Sequence, residues 1–298
     1  MVVHDVRHVP NVPLLPRAVL LGSVPLCARA RPTVVKTFWL LVRAGFRRHS
    51  TYRLALLAGM TTNSVFGFIR ASILLAALAS AGTSIGGYDA PTAIAFVWWG
   101  QALLGTVNLW GFAEVKDRVR TGDIAVDFLR PIDPQLAYLA GDLGRAGINL
   151  IGRGLPAILL GALLFDMAPP PSAVSWAAGA VSVLLAVVVA FAGNFVINLL
   201  AFWLVEIRGI TLLWMITGGL LCGLYLPVPW FPDWLRTVAH WSPFPSMLQN
   251  PIDILAGRVV GTDIASAVAV QVFWALALLG LGQLVLRAGR RRLEVQGG

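Results

Sequence analysis

A helix that crosses a lipid hydrocarbon core needs about 20 predominantly apolar residues, because the core is about 30 Å thick and each residue rises about 1.5 Å. Six runs in this sequence answer to that rule: about Leu54 to Ala81, Pro91 to Ala113, Tyr138 to Phe165, Ser175 to Val205, Gly209 to Leu226 and Ile264 to Leu286. Charged residues make up 12% of the chain and hydrophobic ones 57%, against about 25% charged in an ordinary soluble domain. The expected fold class is therefore an all-α membrane protein with six transmembrane helices.

The formal net charge of +9 is a topology signal rather than a nucleic-acid footprint, because the basic residues sit at the edges of the apolar runs. Arg43, Arg47, Arg48 and Arg53 precede the first run. Lys116, Arg118, Arg120 and Arg130 follow the second, Arg208 lies between the fourth and fifth, and Arg287, Arg290, Arg291 and Arg292 follow the sixth. The loops Gly82 to Ala90 and Asp166 to Val174 hold no Lys or Arg, and Pro227 to Asp263 holds only Arg236 and Arg258. The positive-inside rule then places both termini in the cytoplasm. Basic charge carried almost wholly by Arg, with Lys36 and Lys116 the only lysines, fits a GC-rich bacterial source and so the bacterial inner membrane.

Before the first run, about Val34 to His49 alternates Phe38, Leu41, Val42 and Phe46 with Lys36, Arg43, Arg47 and Arg48. This reads as a basic amphipathic helix lying on the inner membrane face, the alternative being an extension of the first span. Residues 1–33 read as a flexible tail. Its apolar stretch from Ala18 is broken by Pro25, and cleavage there would place the Arg43 to Arg53 cluster outside, so no signal peptide is expected.

No enzyme chemistry is legible. Cys27 and Cys222 support neither a disulfide framework nor a thiolate metal site. His4 and His8 share helical spacing but lie in a Pro-containing tail with no third ligand, so no metal is expected. No Gly-rich phosphate loop exists, and Gly141, Gly144 and Gly147 have the wrong spacing and context for one.

Ionisable or amide side chains inside the runs normally face a bundle interior, a cavity or an opposite charge. Arg70, about 25 Å along a helix from Arg53, either receives an anionic group on a cargo or snorkels outward. Asp142 and Arg145 are spaced to neutralise each other, Arg153 is a further charge in the third run, and Glu206 and Arg208 bracket the end of the fourth. Gln101 with Asn108, and Asn194 with Asn198, each share a helical face, which fits interhelical hydrogen bonds or a cargo path. Gly219 and Gly223 permit close approach, within the chain or to another subunit.

The segment Glu114 to Pro134 is short, charged and punctuated. Asp123 is placed to cap a short helix after Gly122, Ile124, Phe128 and Leu129 would share one face, and Pro131 stops it. Such a helix suits docking into a groove on a cytosolic partner. A second segment, Leu226 to Leu235 continuing through His240-Trp241-Ser242-Pro243, places Pro232 and Asp233 to start a short helix and Pro243 to end it, with Trp230, Trp234 and Trp241 suited to the headgroup boundary.

Together these residues carry a resemblance. Gly122-Asp123 through Leu129-Arg130-Pro131-Ile132-Asp133-Pro134 resembles the loop between helices two and three of ABC-2 type permeases, and more narrowly their ABC-2 family transporter protein branch. The proline-rich segment resembles the half-membrane helices that such permeases place between helices five and six. The resemblance covers about residues 34–298 and implies a permease subunit of an exporter of hydrophobic or amphipathic substrates. It implies a coupling helix in which Asp123, Ile124, Asp127, Phe128 and Leu129 contact a cytosolic ATPase present in two copies. ATP and magnesium would belong to that ATPase, with no cofactor in this chain. A second six-helix permease, a different chain, and membrane lipid complete the implied partners. The competing reading is an ion- or proton-driven carrier, which calls for matching broken helices in the two halves. No matching pair is found. An intramembrane enzyme lacks convergent polar groups.

Overall fold

The computed structural model describes residues 33–82, 84–111 and 114–292, and contains no β-strand among them. In chain order its α-helices are α1 (Val34–Ser50), α2 (Arg53–Ala81), α3 (Ala90–Thr106), α4 (Glu114–Thr121), α5 (Ile124–Phe128), α6 (Pro134–Asn149), α7 (Leu155–Leu164), α8 (Ala173–Leu199), α9 (Arg208–Leu221), α10 (Asp233–His240), α11 (Gln249–Leu255) and α12 (Thr262–Arg290). The expected N-terminal tail, with His4, His8 and Cys27, lies outside the described residues apart from Thr33.

Among the described residues four helical stretches are long and apolar enough to cross a membrane: Arg53–Ser80, Pro134–Leu164, Ala173–Phe202 and Thr262–Arg290. Their outward faces are apolar, with Ile73, Leu163, Leu184, Phe273, Leu276 and Leu284 all exposed. Contiguous apolar surface of that kind needs lipid or protein against it.

The runs expected as the second and fifth spans are shorter than the sequence implied. The second ends at Thr106 rather than Ala113, where Val107 turns extended (φ −84°, ψ 121°) and Arg145 takes the carbonyls of Gly105 and Thr106. The fifth ends at Leu221 rather than Leu226, since Gly223 adopts φ +85°, a conformation available to glycine at little cost. The fourth likewise leaves α geometry at Leu199 and finishes as a 3₁₀ turn over Leu200–Phe202.

Helices α6 and α7 are joined without a break by a π turn, Leu150–Gly154. Pro156 explains it: proline has no N–H to give and clashes with the carbonyl one turn earlier, so the ladder widens upstream. Helix starts follow their caps. Asp89 and Thr92 form a reciprocal capping box around Pro91 at the head of α3, and this bonding holds the Asp89 carboxyl below its usual range. Asp133 accepts from the Leu136 N–H ahead of α6, and Ser172 from the Ser175 N–H ahead of α8.

The core is built on α3 and α8. Trp98, Phe96, Phe191 and Phe195 are fully buried, and α8 packs along α12 on one side and α11 on another. Helix α1 is separate from α2, divided at Thr51 and Tyr52, and lies against α6. The glycines that failed as a phosphate motif explain the contact: a side chain on Gly144 would meet the Val42 carbonyl and the Phe46 amide, and one on Gly45 would meet the Gly141 carbonyl.

Two ends can be told apart. At one, α1 meets α4 through Arg48 and Glu114 (3.6 Å), α4 meets the segment before α9 through Arg120 and Glu206 (3.7 Å), and Arg290 of α12 lies over the Phe128 ring. This is the basic end. At the other, the loop between α2 and α3 is bound to the segment between α9 and α12.

Candidate functional site

At the basic end α4 and α5 form a small bracket, turned at Gly122 with φ +81°. Asp127 is its keystone. Its carboxylate accepts from Arg118 Nε (2.7 Å) and a second guanidinium nitrogen (3.0 Å), and from the Tyr138 hydroxyl (2.7 Å), with Arg130 3.3 Å away. The Asp127 bond holds the Arg118 guanidinium above its ordinary range. A buried carboxylate is tolerable only when so many donors satisfy it.

This changes the roles read from the sequence. Asp123 caps nothing: its carboxylate accepts from the Thr121 hydroxyl at 2.8 Å, because its own backbone is already helical. Ile124 and Asp127 are buried and Phe128 is partly buried, so they fasten the bracket to the bundle. Leu129, 85% exposed, stands outside with Val126, 52% exposed and not flagged by the sequence. The expected shared face of Ile124, Phe128 and Leu129 is thus divided between inside and outside.

Asp142 and Arg145 pair as their spacing predicts, at 2.6 Å. The unforeseen part is that Arg145 also donates to the carbonyls of Gly105 and Thr106, at 2.8 and 3.0 Å, capping α3 from a different helix. Arg153 likewise reaches across to the Ala55 carbonyl at 2.8 Å. Glu206 accepts from the Arg208 backbone N–H at 2.9 Å, which holds it below its ordinary range, and its charge partner is Arg120.

Of the amides expected as path or contact residues, Asn194 and Asn198 are engaged inside the protein through their side chains. Asn194 donates to the Asn108 carbonyl at 2.6 Å and accepts from Trp214 Nε1 at 2.9 Å. Asn198 donates to the Asn194 carbonyl and accepts from the Lys116 N–H, at 2.8 and 3.1 Å. Gln101 is buried, its backbone carbonyl taken by Asn63 at 2.9 Å and its side-chain oxygen without a partner. Arg70 is partly exposed on α2, near Cys222 and Tyr225.

At the opposite end the sequence reading missed the main feature. Tyr88 is fully buried; its hydroxyl donates to Asp253 at 3.1 Å and accepts from Gln249 and Arg258, each at 2.9 Å. Arg258 also donates to Asp253 at 2.7 Å, bonds the Gly86 carbonyl and lies 3.8 Å over the Tyr88 ring. Burial, and then the Asp253 charge, push the Tyr88 hydroxyl well above its ordinary value. Burial works against the Arg258 charge, but Asp253 and Tyr88 outweigh it and the guanidinium is held above its ordinary value.

Helix α10 begins at Asp233 behind Pro232 and ends at His240, before Pro243, as the proline spacing predicts. Trp234 and Trp241 are exposed, whereas Trp230 turns inward, donating to the Ile85 carbonyl at 2.9 Å and packing edge-on to Tyr88. Trp230 is therefore a fastening of this end rather than an outward anchor. Helix α11 is buried, and Gln271 of α12 ties the preceding turn to α8 through Ser246 and Ser182.

Among the described residues no three His, Cys, Asp or Glu side chains gather into a metal site. No curated protein and no solved structure matches the chain. The family model described as ABC-2 family transporter protein matches residues 67–297. That match takes in the bracket at the basic end, the core helices and the fastened opposite end, and the chain is a member of the ABC-2 transporter permease family: a non-catalytic, multi-pass membrane subunit of the kind that associates with an ABC ATPase.

Proposed function

We propose that this chain is one permease of an exporter, with six spans, both termini in the cytoplasm of a bacterial inner membrane, and the α4–α5 bracket as the element that receives motion from the ATPase. The observation that carries it is the bracket's construction. Arg118, Tyr138 and Arg130 converge on the buried Asp127, while Val126 and Leu129 project as apolar knobs. A knob on a rigid mount transmits displacement; a knob on a solvated loop absorbs it.

In this reading α3 and α9 complete the six spans, shortened because the protein itself covers their ends. Two ATPase copies close on ATP and magnesium, the brackets move with them, and two permeases exchange cavity access between faces. A different permease chain forms the other half. The cargo is a hydrophobic or amphipathic compound such as a drug, antibiotic or lipid.

The experiment is co-purification with the cognate ATPase. Val126→Asp with Leu129→Asp should leave the permease inserted and folded, both positions being exposed, but abolish ATPase capture and coupled hydrolysis. Retained capture with normal coupling would remove the bracket from the interface.

A further inference from the structure

Between α1, α6 and the bracket lies a cavity of about 470 Å³, lined by Leu41, Arg48, His49, Asn108 and Asp142 among others. It adjoins an open groove along α1 lined by Leu40, Arg43, Arg47, Arg48 and Thr51, with Arg48 and Ala44 common to both. The two compartments differ in charge. The groove carries three arginines and no acid. The cavity is mixed in charge, with Glu114, Asp127 and Asp142 beside Arg48, Arg130 and Arg145; the Asp142 side chain is 7% exposed and its Oδ2 is buried without a hydrogen-bond partner, since Arg145 occupies only Oδ1.

A buried carboxylate oxygen without a hydrogen-bond partner is uncommon and favours a donor beside it. The groove suits an oxyanion and the cavity a donor of N–H bonds, in two spaces that share Ala44 and Arg48 beside an amphipathic helix with Trp39 and Leu40 exposed. We propose that this seam binds a phospholipid whose headgroup is a phosphate followed by a primary ammonium, the phosphate among Arg43, Arg47 and Arg48 and the ammonium on Asp142. An anionic glycerol headgroup would satisfy the arginines but bring only neutral hydroxyl donors to Asp142, without the ammonium's charge. A choline headgroup has the charge but no N–H. Because Arg48 also faces Glu114 of α4, the lipid would sit against the mount of the bracket as a resident part of the permease.

The test uses the full chain purified in detergent, stripped of lipid and titrated with phosphatidylethanolamine, phosphatidylcholine or phosphatidylglycerol of identical acyl chains, binding being read by native mass spectrometry. The ethanolamine lipid should bind about tenfold more tightly than the choline lipid, the worth of one charge-assisted hydrogen bond. Asp142→Asn should remove most of that difference, and Arg43→Gln with Arg47→Gln should weaken all three. Equal binding of the ethanolamine and choline lipids, or tighter binding of the glycerol lipid, overturns the proposal. Should Asp142→Asn not fold, the headgroup series on the native chain decides alone. The assay contains no ATPase, so its result is independent of the docking experiment. ATP-driven movement of a fluorescent ethanolamine lipid between leaflets, in vesicles holding the permease and its ATPase, would overturn the resident role by making the lipid the cargo.

Discussion

Arg118 grips Asp127 through two of its nitrogens, at 2.7 and 3.0 Å, and thereby joins α4 to α5 across the Gly122 turn. The two residues are nine apart in sequence, so neither helix is continuous with the other and this pair does the joining. Asp127→Ala would leave Arg130 and Tyr138 without this acceptor and Arg118 with the Asp123 carbonyl alone. The two arginines left behind are partly exposed, so the cost is that of the lost charge-assisted hydrogen bonds, about 1.5 to 3 kcal/mol. The expected outcome is loss of ATPase capture together with rapid proteolysis between residues 114 and 134. That cleavage separates it from Val126→Asp with Leu129→Asp, which should lose capture without becoming protease-sensitive.

Arg145 offers a second test of the same end. It neutralises Asp142 and caps α3 at Gly105 and Thr106. Arg145→Met keeps the aliphatic stem, but strands a buried carboxylate and two helix-end carbonyls. A loss of about 3 kcal/mol or more is expected, read as a lowered Tm in detergent. Arg145→Lys should recover only part of it, since an ammonium lacks the planar fork that serves three acceptors.

What was legible in the sequence was whatever repeats with helical or lipid periodicity. The apolar runs match α2 to within a residue and locate α8 and α12 with their ends two to six residues off, and Pro232, Asp233 and Pro243 mark the bounds of α10. The Asp142–Arg145 pair followed from a spacing of three. Contacts between distant segments were not legible. Nothing local to Tyr88 or Asp253, 165 positions apart, signals that they share a hydrogen bond, and Trp230 reads as a headgroup anchor until its partner, the Ile85 carbonyl, is seen. The glycines of α6 have no phosphate-loop spacing, and only the structure shows that Gly144 lies against the backbone of α1. The end of α3 is not legible locally because its capping group, Arg145, comes from another helix.

At the opposite end, Tyr88→Phe keeps the ring beneath Arg258 and beside Trp230 but deletes the hydroxyl shared by Asp253, Gln249 and Arg258. Stranding those groups should cost about 1 to 3 kcal/mol. The pH dependence has a definite sign. The folded Tyr88 hydroxyl titrates well above its unfolded value of 10.0, so the native state holds the proton longer than the unfolded chain. Its contribution is fully present below about pH 10 and is lost as pH rises above that value. Tm measured from pH 8 to 11 should therefore fall less steeply for Tyr88→Phe than for the native chain. Parallel curves would show that the hydroxyl is not buried as described.

The seat of α1 on α6 yields the last expectation, because its three glycines do unequal work. A methyl group on Gly144 would drive into the Val42 carbonyl and the Phe46 amide, both backbone atoms that no rotamer change can move aside. A methyl on Gly45 meets the Gly141 carbonyl in the same way. A methyl on Gly141 meets nothing within 4 Å. Gly144→Ala and Gly45→Ala should therefore push α1 off α6 although alanine is the better helix former by about 1 kcal/mol. Gly141→Ala should be neutral or slightly stabilising. A cysteine pair placed across the α1–α6 seam reads the displacement directly: cross-linking should persist in Gly141→Ala and fall sharply in the other two. Equal cross-linking in all three variants would mean that α1 is held by the lipid surface rather than by the backbone of α6.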